Sequence, residues 1–86
     1  MSHQTYTYTV VYEHDPETGQ VCASFPALDL ATHGRTMDEA RAMAREALEL
    51  HLEGLVEESM PVPADVAEVE RVTVDVPIPS AKETTP

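Results

Sequence analysis

Thr5–Glu13 (TYTYTVVYE) alternates, with Tyr6, Tyr8, Val10 and Tyr12 on one side and Thr5, Thr7, Thr9 and Val11 on the other. A period of two in Tyr, Thr and Val predicts a half-buried strand. His14–Gln20 (HDPETGQ) contains Asp-Pro and Thr-Gly, the signals of a hairpin connection. Val21–Phe25 then predicts a second, antiparallel strand with Val21, Ala23 and Phe25 on one face, and Pro26 ends it. After a short apolar connector, Pro26–Leu30, Ala31–Arg35 (ATHGR) predicts a short third strand at an edge.

The period changes to 3.6 at Thr36. Stepping about 100° per residue, Met37, Ala40, Met43, Ala44, Ala47, Leu48, Leu50, His51, Gly54 and Leu55 fall on one side of a helix over Met37–Glu58. Arg41, Arg45, Glu46, Glu49, Glu53 and Glu57 fall on the other, so one face is suited to burial and one to water. Thr36-Met37-Asp38-Glu39 predicts a capping box, in which the Thr36 hydroxyl accepts from the Glu39 amide and the Glu39 carboxylate reaches back to the Thr36 amide. The small side chains of Ala40, Ala44 and Ala47 allow close approach to a sheet. Pro61 and Pro63 then impose an extended path. Val69–Val76 (VERVTVDV) alternates through Val72, Val74 and Val76 and predicts a fourth strand.

The expected architecture is therefore a two-layer α+β domain of order β-β-β-α-β, one helix packed on a four-stranded sheet. A right-handed crossover through the helix would place the last strand parallel to and beside the first. Residues 1–79 form the expected domain and 80–86 a carboxy-terminal tail. One sheet face stays bare, an expected surface for self-association into a dimer or larger oligomer.

Composition narrows the chemistry. Eighty-six residues, 42% hydrophobic and 24% charged, suit one small globular domain. Sixteen acidic residues face five basic ones, a net charge of −11, and the surplus is spread along the chain. That argues against direct nucleic-acid binding, which needs clustered Lys and Arg, and fits either solubility or a basic protein partner. No apolar run approaches the ~20 residues of a transmembrane helix, and no signal-peptide pattern opens the chain. With Cys22 the lone cysteine, no intrachain disulfide forms and the cytoplasm is the expected compartment.

No cofactor or metal site is expected. His3, His14, His33 and His51 lack ligand spacing, and Gly19, Gly34 and Gly54 are isolated rather than gathered in a phosphate loop. His51 reads as a histidine at the core edge, Cys22 as a structural cysteine that could neighbour His33 across strands. Gly34 marks a bulge or tight approach before the cap, and Gly54 a site of close helix packing.

Tyr8–Tyr12, Phe25-Pro26-Ala27-Leu28, Gly34-Arg35-Thr36, Glu39-Ala40, Glu46–Leu55 and the Pro61-Val62-Pro63 exit together resemble the amino-terminal domain of HicB-like antitoxins, over roughly Thr5 to Pro79. The resemblance implies a partial RNase H-like fold without RNase H activity. It also implies a partner, a small basic messenger RNA nuclease of the HicA type that such domains neutralise. Family members often add a DNA-binding segment; ten residues follow Val76 here, too few for one. Asp29-Leu30 stands where the family often has a Pro-Gly turn.

Three readings follow from different classes: an antitoxin-type binding module, a homo-oligomeric domain of the same family with a small ligand or another role, and an RNase H-like nuclease. Two-metal chemistry needs converging carboxylates, one in the middle of the first strand, and Thr5–Tyr12 has none. Glu13, Asp15, Glu17 and Asp29, at the loop ends of the sheet, form the expected rim for a partner.

Overall fold

A computed structural model describes residues 2–79. Three strands, β1 (Val11–His14), β2 (Val21–Phe25) and β3 (Leu30–Gly34), precede one helix, α1 (Met37–Glu57). The strands form an antiparallel sheet of order β1-β2-β3. Val11 pairs with Ser24 and His14 with Val21, while Val21 pairs with Gly34 and Phe25 with Leu30. This is the expected α+β arrangement of helix on sheet.

The first hairpin closes on Asp15, whose amide donates to Gln20 O (2.8 Å) and whose carbonyl accepts from Gly19 N (2.8 Å). Gly19 has φ +76°, open to glycine without steric cost. In the second connection Leu28 N donates to Phe25 O (3.0 Å), and Asp29 has φ +52°, the left-handed place a glycine would otherwise fill.

The first strand is shorter than its alternation suggests. Continuing the register would set Thr9 opposite Pro26, which has no amide to donate, so the ladder stops at Val11. Thr5–Val10 projects past the sheet, although Tyr8 and Val10 still pack on the core of Ala23, Phe25, Leu28 and Ala44.

Thr36 caps α1 as expected, its hydroxyl accepting from Glu39 N at 3.1 Å. The reciprocal bond differs: Glu39 Oε1 accepts from Arg35 N (2.9 Å), not Thr36 N, and Oε2 accepts from Arg35 Nη2 (3.3 Å). The carboxylate takes the residue that offers both an amide and a cation. Thr36→Ala should lower unfolding free energy by about 1 kcal/mol. Urea denaturation checks this, and an unchanged midpoint would remove the capping argument.

At the other end, Ser59 N donates to Val56 O (3.1 Å) and Met60 N to Leu55 O (2.8 Å), with Ser59 at φ +56°. This is the Schellman stop, followed at once by Pro61.

The helix buries Ala40, Ala44 and Leu52. Its inward stripe is turned from the expected one: Leu52 is inside, while Leu50 is 63% and Met43 40% exposed. The cause is where the helix lies. Its backbone lies over β3 and β2 rather than over β1, which it meets only through side chains such as Tyr12, so residues on the Leu48–Leu52 side face protein and those on the Met43–Leu50 side meet solvent. Gly34 is the point of closest approach between strand and helix backbones. Gly54, expected to serve the same purpose, has nothing within 4 Å of where a Cβ would stand.

The expected fourth strand has no ladder partner among the described residues. Val69, Val72, Val74, Val76 and Ile78 are between 65% and 82% exposed. The Cα radius of gyration is 19.0 Å, against about 12 Å for a compact domain of this length. The expected tail, 80–86, lies outside the described residues.

Candidate functional site

The chain after α1 is tied back to the segment before β1. Both Asp65 carboxylate oxygens accept from Thr9 N at 3.0 Å, and Oδ2 also accepts from Thr9 Oγ1 at 2.8 Å. The Thr9 amide, followed by the hydroxyl, holds the Asp65 carboxyl below its ordinary value. Alongside, the Tyr8 hydroxyl donates to Pro63 O. Desolvation, then the neighbouring Tyr6 and Asp65, raises the Tyr8 phenol above its usual range.

Because α1 leans away from β1, the flank between them stays open. One groove, about 450 Å³, runs between Tyr8, Val10 and Tyr12 and the helix residues Ala44, Arg45 and Leu48. It adjoins a second, about 720 Å³, with Leu48, Leu52, Val56 and Tyr6 as its apolar lining. Glu49, Glu53 and Glu57 edge that second groove, with Arg45 and His3 also in its lining, so carboxylates outnumber the one arginine. Their spacing of four sets them in one row along the helix, and all three are exposed. The sequence displays this row plainly; only the adjoining apolar groove gives it a role, and that depends on where the helix sits.

The four expected rim residues do not converge. Glu13 is on β1 and Asp15 and Glu17 are in the loop that follows, at one end of the sheet, whereas Asp29 is in the β2–β3 turn at the other end. Asp15 is occupied by its own loop, its Oδ1 accepting from Glu17 N (2.8 Å) and Thr18 N (3.4 Å). Those two amides hold its carboxyl below the ordinary value. Glu13 and Glu17 are exposed carboxylates at that end.

The open sheet face carries Val11, Glu13, Cys22, Ser24, Ala31 and His33, which includes just one large apolar side chain. Tyr12 lies on the helix side of the sheet, and Tyr6 and Tyr8 precede β1. Glu13 pairs with Cys22 and Cys22 with His33, so the row across the sheet is Glu-Cys-His. The cysteine does neighbour His33, but nucleophilic catalysis needs the histidine between thiol and carboxylate, and here the cysteine is central. Among the described residues, no three His, Cys, Asp or Glu side chains are grouped so as to hold a metal ion. His51 is half-buried at the core edge. No described helix is long and apolar enough to cross a membrane.

Comparison with known families gives one match: the family model for the HicB_like antitoxin of bacterial toxin-antitoxin system covers residues 7–84. No curated protein matches the chain, and no solved structure does.

Proposed function

Since this chain belongs to the HicB-like antitoxin family, we propose that it is a non-catalytic antitoxin that binds and neutralises a small, basic, HicA-like toxin that cleaves messenger RNA. The observation that carries the reading beyond the family is the groove lined by Leu48, Leu52, Val56 and Tyr6 and edged by Glu49, Glu53 and Glu57. An apolar surface bordered by carboxylates suits a basic protein whose cationic side chains flank an apolar patch. The charge of −11 speeds encounter with such a partner and repels RNA, which the partner alone then handles. Glu13 and Glu17, at the hairpin end, form a second acidic rim that steers approach. The cytoplasm, where messenger RNA is translated, is the compartment this function requires.

A nuclease reading finds little support in β1. Glu13 lies within the paired strand, further in than expected, yet its cross-strand neighbour is Cys22 rather than a second carboxylate. Two-metal hydrolysis needs several carboxylates around one space.

The test is association between this protein and a small basic toxin of the HicA type, followed calorimetrically from low to high salt. Binding should weaken steeply as salt rises through about 0.1 M, where the screening length is about 10 Å. Replacing Glu49 and Glu53 together by lysine should weaken it at least tenfold. Salt-independent binding, or full affinity in the double variant, would place the toxin elsewhere.

A further inference from the structure

We propose that Val69–Ile78 is an exchange arm that completes the sheet of a second copy of this chain, pairing with the free edge of its β1. The arm's own chemistry specifies a strand. Val72, Val74, Val76 and Ile78 alternate with Arg71, Thr73, Asp75 and Pro77, giving one apolar side and one polar side. A sheet over a core calls for that pattern, yet the apolar side chains stand exposed and no ladder is formed. An uncovered, alternating, valine-rich segment is a template for pairing with another chain.

The receiving surface is equally specific. β1 is an edge of the sheet, and its outer backbone groups have no strand beside them. Above it lies the groove of about 450 Å³ between Tyr8, Val10 and Tyr12 and the helix residues Ala44 and Leu48, with Arg41 and Arg45 on its helix side. A strand laid against β1 would direct alternate valines into that groove.

The Asp65–Thr9 tie decides whose arm fills it. From Asp65 the chain advances about 3.3 Å per residue when extended. Val11–His14 lies two to five residues past Thr9, so in a parallel course the residues drawing level with it are Ala67–Glu70. Val72 onward overshoots the end of β1. In the opposite course Val72 draws level with Ser2, away from the sheet. While the tie holds, the run from Val72 to Ile78 cannot cover its own β1, but its side chains stand exposed and can reach another copy. Two arms exchanged about a two-fold axis make a closed, self-complementary dimer. Each copy then has a four-stranded sheet with its helix, the β-β-β-α-β order divided between two chains. The open face of the sheet, with Val11 as its one large apolar residue, stays out of the interface.

The experiment uses the full chain without toxin, so its outcome is independent of the antitoxin assignment. Sedimentation equilibrium at micromolar concentration should show a dimer. Val72→Asp combined with Val74→Asp should give a monomer with an unchanged helical circular dichroism spectrum, since neither side chain contacts its own core. A spin label at position 73 in a Cys22→Ser, Thr73→Cys chain, mixed with isotope-labelled unmodified protein, should broaden the amides of Val11–His14 in the labelled copy. A monomeric full chain, a dimer that survives the double aspartate change, or broadening confined to residues outside β1 would each overturn the arm exchange.

Discussion

Replacing Gly34 by valine is expected to leave the chain without a stable fold. A Cβ at this position would stand 2.5 Å from Ala40 N, 2.8 Å from the Glu39 carbonyl carbon and 2.9 Å from Ala40 Cα. All three are backbone atoms of the first helical turn, held by the Thr36 cap and the helix hydrogen bonds, so no flexible side chain can move aside. Relief requires the helix to lift from β3, which exposes Ala40 and Ala44 and separates the helix from the sheet it buries. Overpacking a closed contact costs typically about 1–3 kcal/mol and occasionally more. A domain of this size has about 4–13 kcal/mol in all. Gly34→Ala should therefore cost about 3 kcal/mol, and Gly34→Val, with two further methyls, should unfold the protein at room temperature. Gly54→Ala is the internal control: nothing lies within 4 Å of its Cβ position, and helix propensity alone should stabilise by about 1 kcal/mol. Thermal denaturation of the three variants checks this. A Gly34→Ala midpoint equal to that of Gly54→Ala would show that helix and strand are not in contact there.

The second large effect is expected at Asp65. Its carboxylate alone satisfies the Thr9 amide and hydroxyl, and it fixes where the chain goes after the helix. Asp65→Ala should abolish protection of the Thr9 amide against hydrogen exchange at neutral pH and release the Pro61–Val66 segment from the flank of β1. The tie is also acid-labile, with a defined sign. The folded carboxyl titrates below its ordinary value of 3.8. Its stabilising contribution is thus complete above that value and disappears as pH falls through the lower, folded value. Glu39, lowered by the Arg35 amide and guanidinium, acts in the same direction at the helix cap. Thr9 protection relative to the intrinsic exchange rate should hold from neutral pH down to about pH 4 and collapse below it. Asp65→Asn should remove that pH dependence. Thr9 protection that persists in Asp65→Ala would show that the segment is held by something else.

What the sequence discloses here follows how local each signal is. The helix start is legible because Thr36 and Glu39 are three residues apart and their bond needs no tertiary partner. β2 is legible because Pro26 ends it. β1 is misread at its amino-terminal end: Thr5–Val10 has strand character, but a strand needs a neighbour, and Pro26 removes that neighbour from Thr9 onward. The alternation of Val69–Val76 states that these residues belong in a sheet without stating whose, because periodicity identifies a face and not a partner chain. The four rim carboxylates are divided between the two ends of the sheet, which sequence does not reveal. Loop carboxylates are easily found in sequence, but Asp29 and Glu17 are separated by the length of β2, which only the register discloses. The Glu49, Glu53 and Glu57 row was visible from the start. Its meaning came from the tilt of the helix away from β1, which turned Leu48 and Leu52 toward the flank.

Neutralisation of an RNA-cleaving toxin is read out by inhibition of cleavage. A HicA-type toxin is incubated with a messenger RNA, and this protein is added in increasing amounts. Cleavage should fall in proportion and reach zero near equimolar ratio, while this protein alone leaves the RNA intact in Mg²⁺ or Mn²⁺. Cleavage that continues undiminished at a tenfold excess, or RNA cut by this protein alone, would contradict the account.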